Sequence, residues 1–104
     1  MKANWHYYII NTSNQENLRF RIISEGKDVY FKSPEIVTIG DGQKAYRISS
    51  LNTEAIEETY DFTLTLLNIN QESSRLVDRL PFPDPNSLYE NSDGEMQADI
   101  YIYI

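Results

Sequence analysis

Residues Tyr60–Leu66, with the sequence YDFTLTL, decide the fold class of this chain. Their apolar side chains alternate with Asp61, Thr63 and Thr65, which is the period of two expected of a strand with one buried face and one wet face. Turn-forming residues separate this segment from other short apolar segments, and together they predict an all-β, antiparallel sandwich of seven or eight strands. The candidate strands are Trp5–Ile10, Leu18–Ile22, Val29–Phe31, Ile36–Ile39, Ala45–Leu51, Tyr60–Leu66, Leu76–Leu80 and Met96–Ile104.

The segments between these strands carry turn signals and one helical signal. Gly40-Asp41-Gly42 indicates a hairpin turn, because glycine adopts the positive φ angles that tight turns require. Asn52–Glu58 is the one helical pattern, and it allows barely two turns with Asn52 or Thr53 as the cap. We expect a single domain over residues 1–104, with core strands in about 5–80, a polar linker over 83–95 and a C-terminal strand over 96–104.

Composition limits the classes of protein to which the chain can belong. Its 104 residues are 40% hydrophobic and carry a net charge of −7, which predicts a folded core and argues against nucleic acid as a partner. No apolar run reaches the ~20 residues that span a bilayer, and the N-terminus lacks the apolar stretch of a signal peptide. The sequence contains no cysteine, which leaves the compartment open, with the cytoplasm favoured.

The chemical inventory argues against catalysis. His6 is the only histidine, so a Ser-His-Asp mechanism would have to use it, and no serine lies in a nucleophile-elbow motif. Gly40–Gly42 lacks the Lys of a phosphate-binding loop. The carboxylates Glu54, Glu57, Glu58 and Asp61 match no calcium-loop spacing. We therefore expect no enzyme activity, no cofactor and no metal site.

Charge and tyrosine content point towards binding of another protein. Residues 53–104 carry eleven acidic and two basic side chains. Four of these carboxylates lie close together in the sequence, at Glu54, Glu57, Glu58 and Asp61. The C-terminal strand alternates strictly, with Tyr101 and Tyr103 on one face and isoleucines on the other. Tyrosine is enriched at protein interfaces. The strand either completes the domain's own sheet or adds to the sheet edge of another molecule.

Seven segments are compared together with known folds: Ile10–Ser13, Leu18–Ile22, Tyr30, Pro34, Ile39–Gly42, Tyr46–Ile48 and Thr59–Leu66. In this order they resemble immunoglobulin-like β-sandwich domains of the type found in major sperm protein and the periplasmic pilus chaperones. The resemblance covers about residues 5–80 and implies the fold. The basic anchor pair of the pilus chaperones is not identified here, so their chaperone activity is not carried over.

Three functional hypotheses follow from these observations. The first is a non-enzymatic protein-binding module, such as a small acidic inhibitor, immunity-type or adaptor protein. It docks a partner protein, for example a basic one, through a sheet edge and an acidic, tyrosine-bearing face. The second is a structural subunit or assembly chaperone that self-associates or exchanges strands through the C-terminal strand. The third, binding of a carbohydrate or lipid through aromatic faces, rests on analogy with other sandwiches. The expected contact residues are Glu54, Glu57, Glu58, Asp61, Tyr101 and Tyr103.

Overall fold

The computed structural model describes residues 2–10, 19–26, 28–54, 63–69 and 75–104. These residues form two sheets, which we call sheet A and sheet B: sheet A has the strand order β3-β4-β1-β8-β7 and sheet B has the order β2-β5-β6. The prediction of an all-β, two-sheet fold is therefore confirmed. The strands are β1 Lys2–Ile10, β2 Phe20–Glu25, β3 Glu35–Ile39, β4 Gln43–Glu54, β5 Thr63–Asn68, β6 Arg75–Leu80, β7 Tyr89–Glu90 and β8 Met96–Tyr103, with a 3-10 turn at Pro85–Ser87.

Strand direction departs from the expected antiparallel pattern at one pair. β1 and β8 run parallel from Asn4 opposite Gln97 to Ile10 opposite Tyr103, whereas the other described pairs are antiparallel. Parallel neighbours need a long connection, and the chain between β1 and β8 supplies one. Alternation along a single strand carries no information about the direction of its neighbour, so the sequence could not reveal this pairing.

The core lies between the two sheets and is built from alternate residues of the strands. Trp5, Tyr7 and Ile9 of β1 face sheet B, and none of the three is more than 1% exposed. The Tyr7 hydroxyl donates to the carbonyl oxygen of Pro81 at 2.8 Å, which satisfies its one polar group. Burial raises the pKa of Tyr7 well above that of a free tyrosine. The other buried members of this cluster are Ala3, Phe20, Ile22, Ile48, Leu64, Leu66, Leu80 and Ile102.

One predicted strand is wrong. Residues 28–34, which include Val29–Phe31, form no strand. The side chains still alternate, because Val29 and Phe31 pack against the core while Tyr30 is 82% exposed. The segment lies beside β4, where the Lys32 amide donates to the carbonyl oxygen of Ser49 at 2.7 Å. Side chains are therefore buried at every second residue here although the segment forms no strand. We call residues 28–34 the strap.

The predicted helix over Asn52–Glu58 is wrong where the structure describes it. Asn52–Glu54 continue β4, with Thr53 opposite Ala3 and Glu54 opposite Lys2. Asn52 has a φ of 54°, which asparagine tolerates better than most residues, and it lies where the register between the strands shifts. The buried Asn4 side chain accepts the Asn52 amide at 3.0 Å. This contact between strands holds the backbone out of the helical conformation. Residues 55–58 lie outside the described part.

The remaining strand predictions are confirmed where they can be compared. The β3–β4 hairpin turns at the predicted glycines, where the Gly42 amide donates to the Ile39 carbonyl at 3.1 Å and Gly42 has a φ of 86°. β5 begins at Thr63, and Tyr60–Phe62 of the predicted strand lie outside the described residues. The segment 83–95, interpreted as a polar linker, carries the 3-10 turn and β7.

Candidate functional site

The face of sheet A that points away from sheet B carries a group of tyrosines. Tyr8 of β1 lies opposite Tyr101 of β8, and Tyr103 and Tyr89 project from the same face. The rings of Tyr8 and Tyr101 stack, with centroids 4.9 Å apart and an interplanar angle of 14°. We call Tyr8, Tyr89, Tyr101 and Tyr103 the tyrosine face. Tyr101 is 50% exposed and Tyr103 is 66% exposed, so both offer aromatic surface to a partner.

Beside these rings, the outer edge of β8 is open. β7 pairs with only Met96 and Gln97, and within the described residues no other strand pairs on that side of β8. The Ile104 amide donates to the Ile10 carbonyl at 3.0 Å, so Ile104 directs its backbone towards β1. Consecutive residues of a strand direct their backbone groups to opposite sides. Asp99, Tyr101 and Tyr103 therefore direct their N–H and C=O groups outwards, away from β1.

The 3-10 turn explains why pairing beside β8 stops. The Asn91 amide donates to the Glu95 carbonyl at 2.8 Å, and Tyr89 lies opposite Gln97. Continuing this antiparallel register would bring Ser87 opposite Asp99. Ser87 instead belongs to the turn, whose Asp84 cap accepts the Asn86 amide at 3.0 Å. The chain consequently leaves the sheet before it can cover the second half of β8. We call the uncovered stretch, residues 99–103, the open edge.

A polar network fixes the side chains next to the open edge. The Tyr89 hydroxyl donates to one carboxylate oxygen of Asp99, and the Gln97 amide donates to the other at 2.8 Å. The same side-chain nitrogen of Gln97 lies 2.8 Å from the Tyr89 hydroxyl oxygen. The side-chain oxygen of Gln97 accepts a hydrogen bond from the side-chain amide of Asn91 at 3.1 Å. The hydrogen bond to Asp99, reinforced by desolvation, raises the pKa of Tyr89 to about 12. The network holds Tyr89 protonated and keeps β7 in place against β8.

His6 lies in the centre of the same face and is bound to a serine. Its Nδ1 and the Ser49 Oγ are 2.6 Å apart, and Asp99 is its neighbour in β8. Burial, and then the nearby Arg47 guanidinium, lower the pKa of His6, so the ring is neutral at pH 7. Both Asp99 carboxylate oxygens are occupied by Tyr89 and Gln97. The three residue types of a hydrolytic triad are thus neighbours, but the carboxylate does not orient the histidine as a triad requires.

The predicted contact residues do not form one site. Tyr101 and Tyr103 lie together on β8, whereas Glu54 ends β4 opposite Lys2. Tyr101 lies opposite Tyr8, which is six residues along β1 from Lys2, so Glu54 is about 20 Å away at 3.3 Å per residue. Glu57, Glu58 and Asp61 lie outside the described residues.

Acidic residues nevertheless predominate in the part of the chain that contains the open edge. Residues 80–104 carry five acidic and no basic side chains. All of these carboxylates belong to the 3-10 turn region, β7, the turn between β7 and β8, or β8 itself. A positively charged segment is therefore favoured at this edge over a negatively charged one. These carboxylates are Asp84, Glu90, Asp93, Glu95 and Asp99.

Comparison with known proteins identifies no relative of this chain. No protein family, curated protein or solved structure matches the chain. The resemblance to immunoglobulin-like domains of the major sperm protein and pilus chaperone type therefore stays a prediction. In the part of the chain that the structure describes, no helix is long and apolar enough to cross a membrane. The same part contains no group of three His, Asp or Glu side chains placed to hold a metal ion.

Sequence reasoning missed Tyr8, Tyr89 and Asp99 as members of this site. Asp99 occupies the same alternating face as Tyr101 and Tyr103, so the period of two could have included it. Tyr89 could not be found in this way, because it lies in the segment interpreted as a polar linker. Its place in the site depends on β7 folding back onto β8.

Proposed function

We propose that the chain is a non-enzymatic protein-binding module that pairs an extended segment of a partner with the open edge. The observation that carries this proposal is that Asp99, Tyr101 and Tyr103 direct backbone donors and acceptors outwards beside exposed tyrosine rings. Main-chain hydrogen bonds at a sheet edge supply affinity, and side-chain contacts beside them supply specificity. An unpaired edge of this kind is otherwise a site of unwanted association.

The charge around the open edge indicates the class of partner. With five carboxylates and no cations over residues 80–104, a segment that carries Lys or Arg gains favourable electrostatics. An acidic inhibitor, immunity-type or adaptor protein would use the edge in this way. Because four of these five charges are exposed, their effect on association should weaken as the ionic strength rises.

Strand exchange through β8 is the alternative. It requires the register from Asn4–Gln97 to Ile10–Tyr103 to open, and it removes Ala98 and Ile102 from the core, where they are 1% and 7% exposed. The edge-binding function needs none of this rearrangement. Deletion of residues 96–104 separates the two: an unfolded product supports β8 as part of the domain, whereas a folded product that no longer self-associates supports exchange.

A comparison of two substitutions at one position tests the edge itself. Tyr101→Ala removes the ring but keeps the outward amide, and Tyr101→Pro removes both. Proline is tolerated at this position of an edge strand because the N–H does not belong to the ladder with β1. The control is Tyr30→Ala on the strap, at a tyrosine that is 82% exposed. It shows how much any exposed tyrosine ring contributes to nonspecific binding. Each variant must first show an unchanged urea unfolding midpoint.

The assay is affinity capture from the native extract at low and moderate salt, with intact-mass analysis of the eluate. We expect one stoichiometric partner whose recovery decreases with salt. Its affinity should fall in the order wild type, Tyr101→Ala, Tyr101→Pro, with about a tenfold further loss at the last step, equivalent to about 1.4 kcal/mol. Equal binding by the alanine and proline variants would contradict pairing at the backbone edge. Recovery of the bait alone as higher oligomers would favour strand exchange.

A further inference from the structure

The open edge fixes the length and the backbone bonding of a segment that pairs with it. Asp99, Tyr101 and Tyr103 each offer one outward N–H donor and one outward C=O acceptor. Tyr89 already lies opposite Gln97, so an added strand begins beyond that pair and runs beside residues 99–103. A segment of about five residues, roughly 17 Å long, therefore fills this stretch.

The residues of such a segment alternate between the two sides of sheet A. Those opposite Asp99, Tyr101 and Tyr103 lie on the side of the tyrosine face. Those opposite Ile100 and Ile102 lie on the side that packs against sheet B, where Ile102 is 7% exposed and Ile100 is partly buried against the core. Because directly opposite side chains of neighbouring strands contact each other, apolar residues fit this second set of positions.

The Tyr101 ring has one side covered and one side directed to the open edge. Tyr8 of β1 stacks on the covered side, with ring centroids 4.9 Å apart and an interplanar angle of 14°. Because β1 and the open edge lie on opposite sides of β8, the second side of the Tyr101 ring faces an added strand. The side chain is 50% exposed, in agreement with one covered side. A planar guanidinium stacks on such a ring and gains cation–π energy.

The charges of the chain favour a cationic segment at this edge over a second copy of the chain. Residues 80–104 carry five acidic and no basic side chains. Asp99 is bonded to the Tyr89 hydroxyl and to the Gln97 side-chain amide, neither of which is positively charged. Two copies of the chain each carry a net charge of −7 and repel each other. A segment that places Lys or Arg beside Asp99 is attracted instead.

We propose that the segment bound at the open edge carries Arg or Lys at every second position, on the side of the tyrosine face, and apolar residues between them. Arg is favoured beside Tyr101, because its planar guanidinium stacks on the second side of the ring. This inference rests on the proposed function of the open edge. It adds the pattern of the partner, which is an extended stretch with cations at positions i, i+2 and i+4.

Two peptides of identical composition test the pattern. The alternating peptide is Arg-Val-Arg-Val-Arg and the block peptide is Arg-Arg-Arg-Val-Val, both with blocked termini, and ¹⁵N–¹H correlation spectra of the full chain at low ionic strength are the readout. We expect saturable one-to-one binding of the alternating peptide, with the largest shifts at residues 99–103. The block peptide should bind at least about fivefold more weakly, because one Arg leaves the tyrosine face and another faces the core.

A matched pair of variants tests the stacking on Tyr101. Tyr101→Leu keeps an apolar side chain and the outward amide but removes the ring, and it should weaken the alternating peptide about two- to fivefold. Tyr30→Leu makes the same change on the strap, at a side chain that is 82% exposed, and should leave the affinity unchanged. Equal affinities of the two variants would overturn the stacking. If Tyr101→Leu lowers the urea unfolding midpoint, the citrulline peptide described next replaces it.

A third peptide, with citrulline in place of each Arg, has nearly the same shape without the charge. It should bind the wild-type chain about three- to tenfold more weakly than the alternating peptide, and equal binding would overturn the requirement for cations.

The pattern of the partner and the proposed function fail in different ways. Equal affinities of the alternating and block peptides, with shifts at residues 99–103, would overturn the pattern and leave pairing at the open edge standing. The absence of shifts at residues 99–103 with every peptide would also overturn the pattern, while capture with Tyr101→Ala and Tyr101→Pro decides the proposed function separately. Peptide shifts centred on sheet B would count against both.

Discussion

The contact between Asn4 and Asn52 gives a quantitative test of why β4 continues where the sequence predicts a helix. The Asn4 side chain is 7% exposed, and its oxygen accepts the Asn52 amide at 3.0 Å in a stretch where Asn52 has a φ of 54°. Asn4→Ala removes the acceptor and leaves this backbone donor without its partner. A lost hydrogen bond of this kind costs about 1–2 kcal/mol.

Urea unfolding followed by the fluorescence of Trp5 measures this cost. Trp5 is the only tryptophan and is fully buried, so its emission reports global unfolding. With an m value of about 1 kcal/mol/M, we expect Asn4→Ala to lower the midpoint by about 1–2 M. Asn86→Ala makes the same substitution at an exposed position in the 3-10 turn and should change stability by less than about 0.5 kcal/mol. An Asn4→Ala midpoint equal to that of Asn86→Ala would refute the assigned role of this contact.

Three further predictions concern the core and the titrating groups. Leu66→Ala, at a fully buried residue of β5, should destabilise the fold by about 2–5 kcal/mol, whereas Leu76→Ala, at a residue 53% exposed, should cost less than about 1 kcal/mol in the same urea assay. Because the pKa of Tyr89 is raised to about 12, its contribution to stability is complete below pH 10 and is lost as the pH rises towards 12. Alkaline absorbance titration of Tyr89→Phe should therefore lack one phenol that ionises near pH 12, and loss of a phenol that ionises near pH 10 would contradict the hydrogen bond to Asp99. The pKa of His6 is lowered by folding, so the unfolded chain binds more protons than the folded one below about pH 6.5. Acidification should therefore reduce the melting temperature more in the wild type than in His6→Gln. An equal reduction in the two proteins would contradict burial of a neutral ring.

Most of the strands follow from local pattern. Alternation in β5 and β8, the glycines between β3 and β4, and the apolar run of β1 each appear in the sequence and in the structure. These signals are local because side-chain direction in a strand repeats every two residues. The strap shows the limit of such a signal, since Val29 and Phe31 point inwards there although residues 28–34 form no strand beside β4. Alternation of apolar and polar residues predicts which side chains are buried. A strand also requires a series of backbone hydrogen bonds to a neighbouring strand, which alternation does not report.

The candidate sites depend on contacts between distant parts of the chain. Tyr101 and Tyr103 were predicted as contact residues from their alternation, but the stacking on Tyr8 requires β8 to lie parallel to β1. The open edge exists because the chain turns away at Pro85–Ser87 after β7 has covered only the start of β8. The separation of Glu54 from these tyrosines also depends on strand pairing. Glu54 lies opposite Lys2 at the start of β1, whereas Tyr101 and Tyr103 lie opposite the other end of β1.

The sequence by itself determined the all-β class, the position of most strands, the face on which β2, β5 and β8 carry their apolar residues, and the acidic character of the C-terminal half. Those properties depend on residues close together in the chain. Only the tertiary structure decided strand direction, the extension of β4 through Asn52, the Tyr89–Asp99 network and the open edge. Each of these joins separate strands or depends on where pairing ends, and the free energy of such contacts exceeds the weak local preference that a single segment expresses.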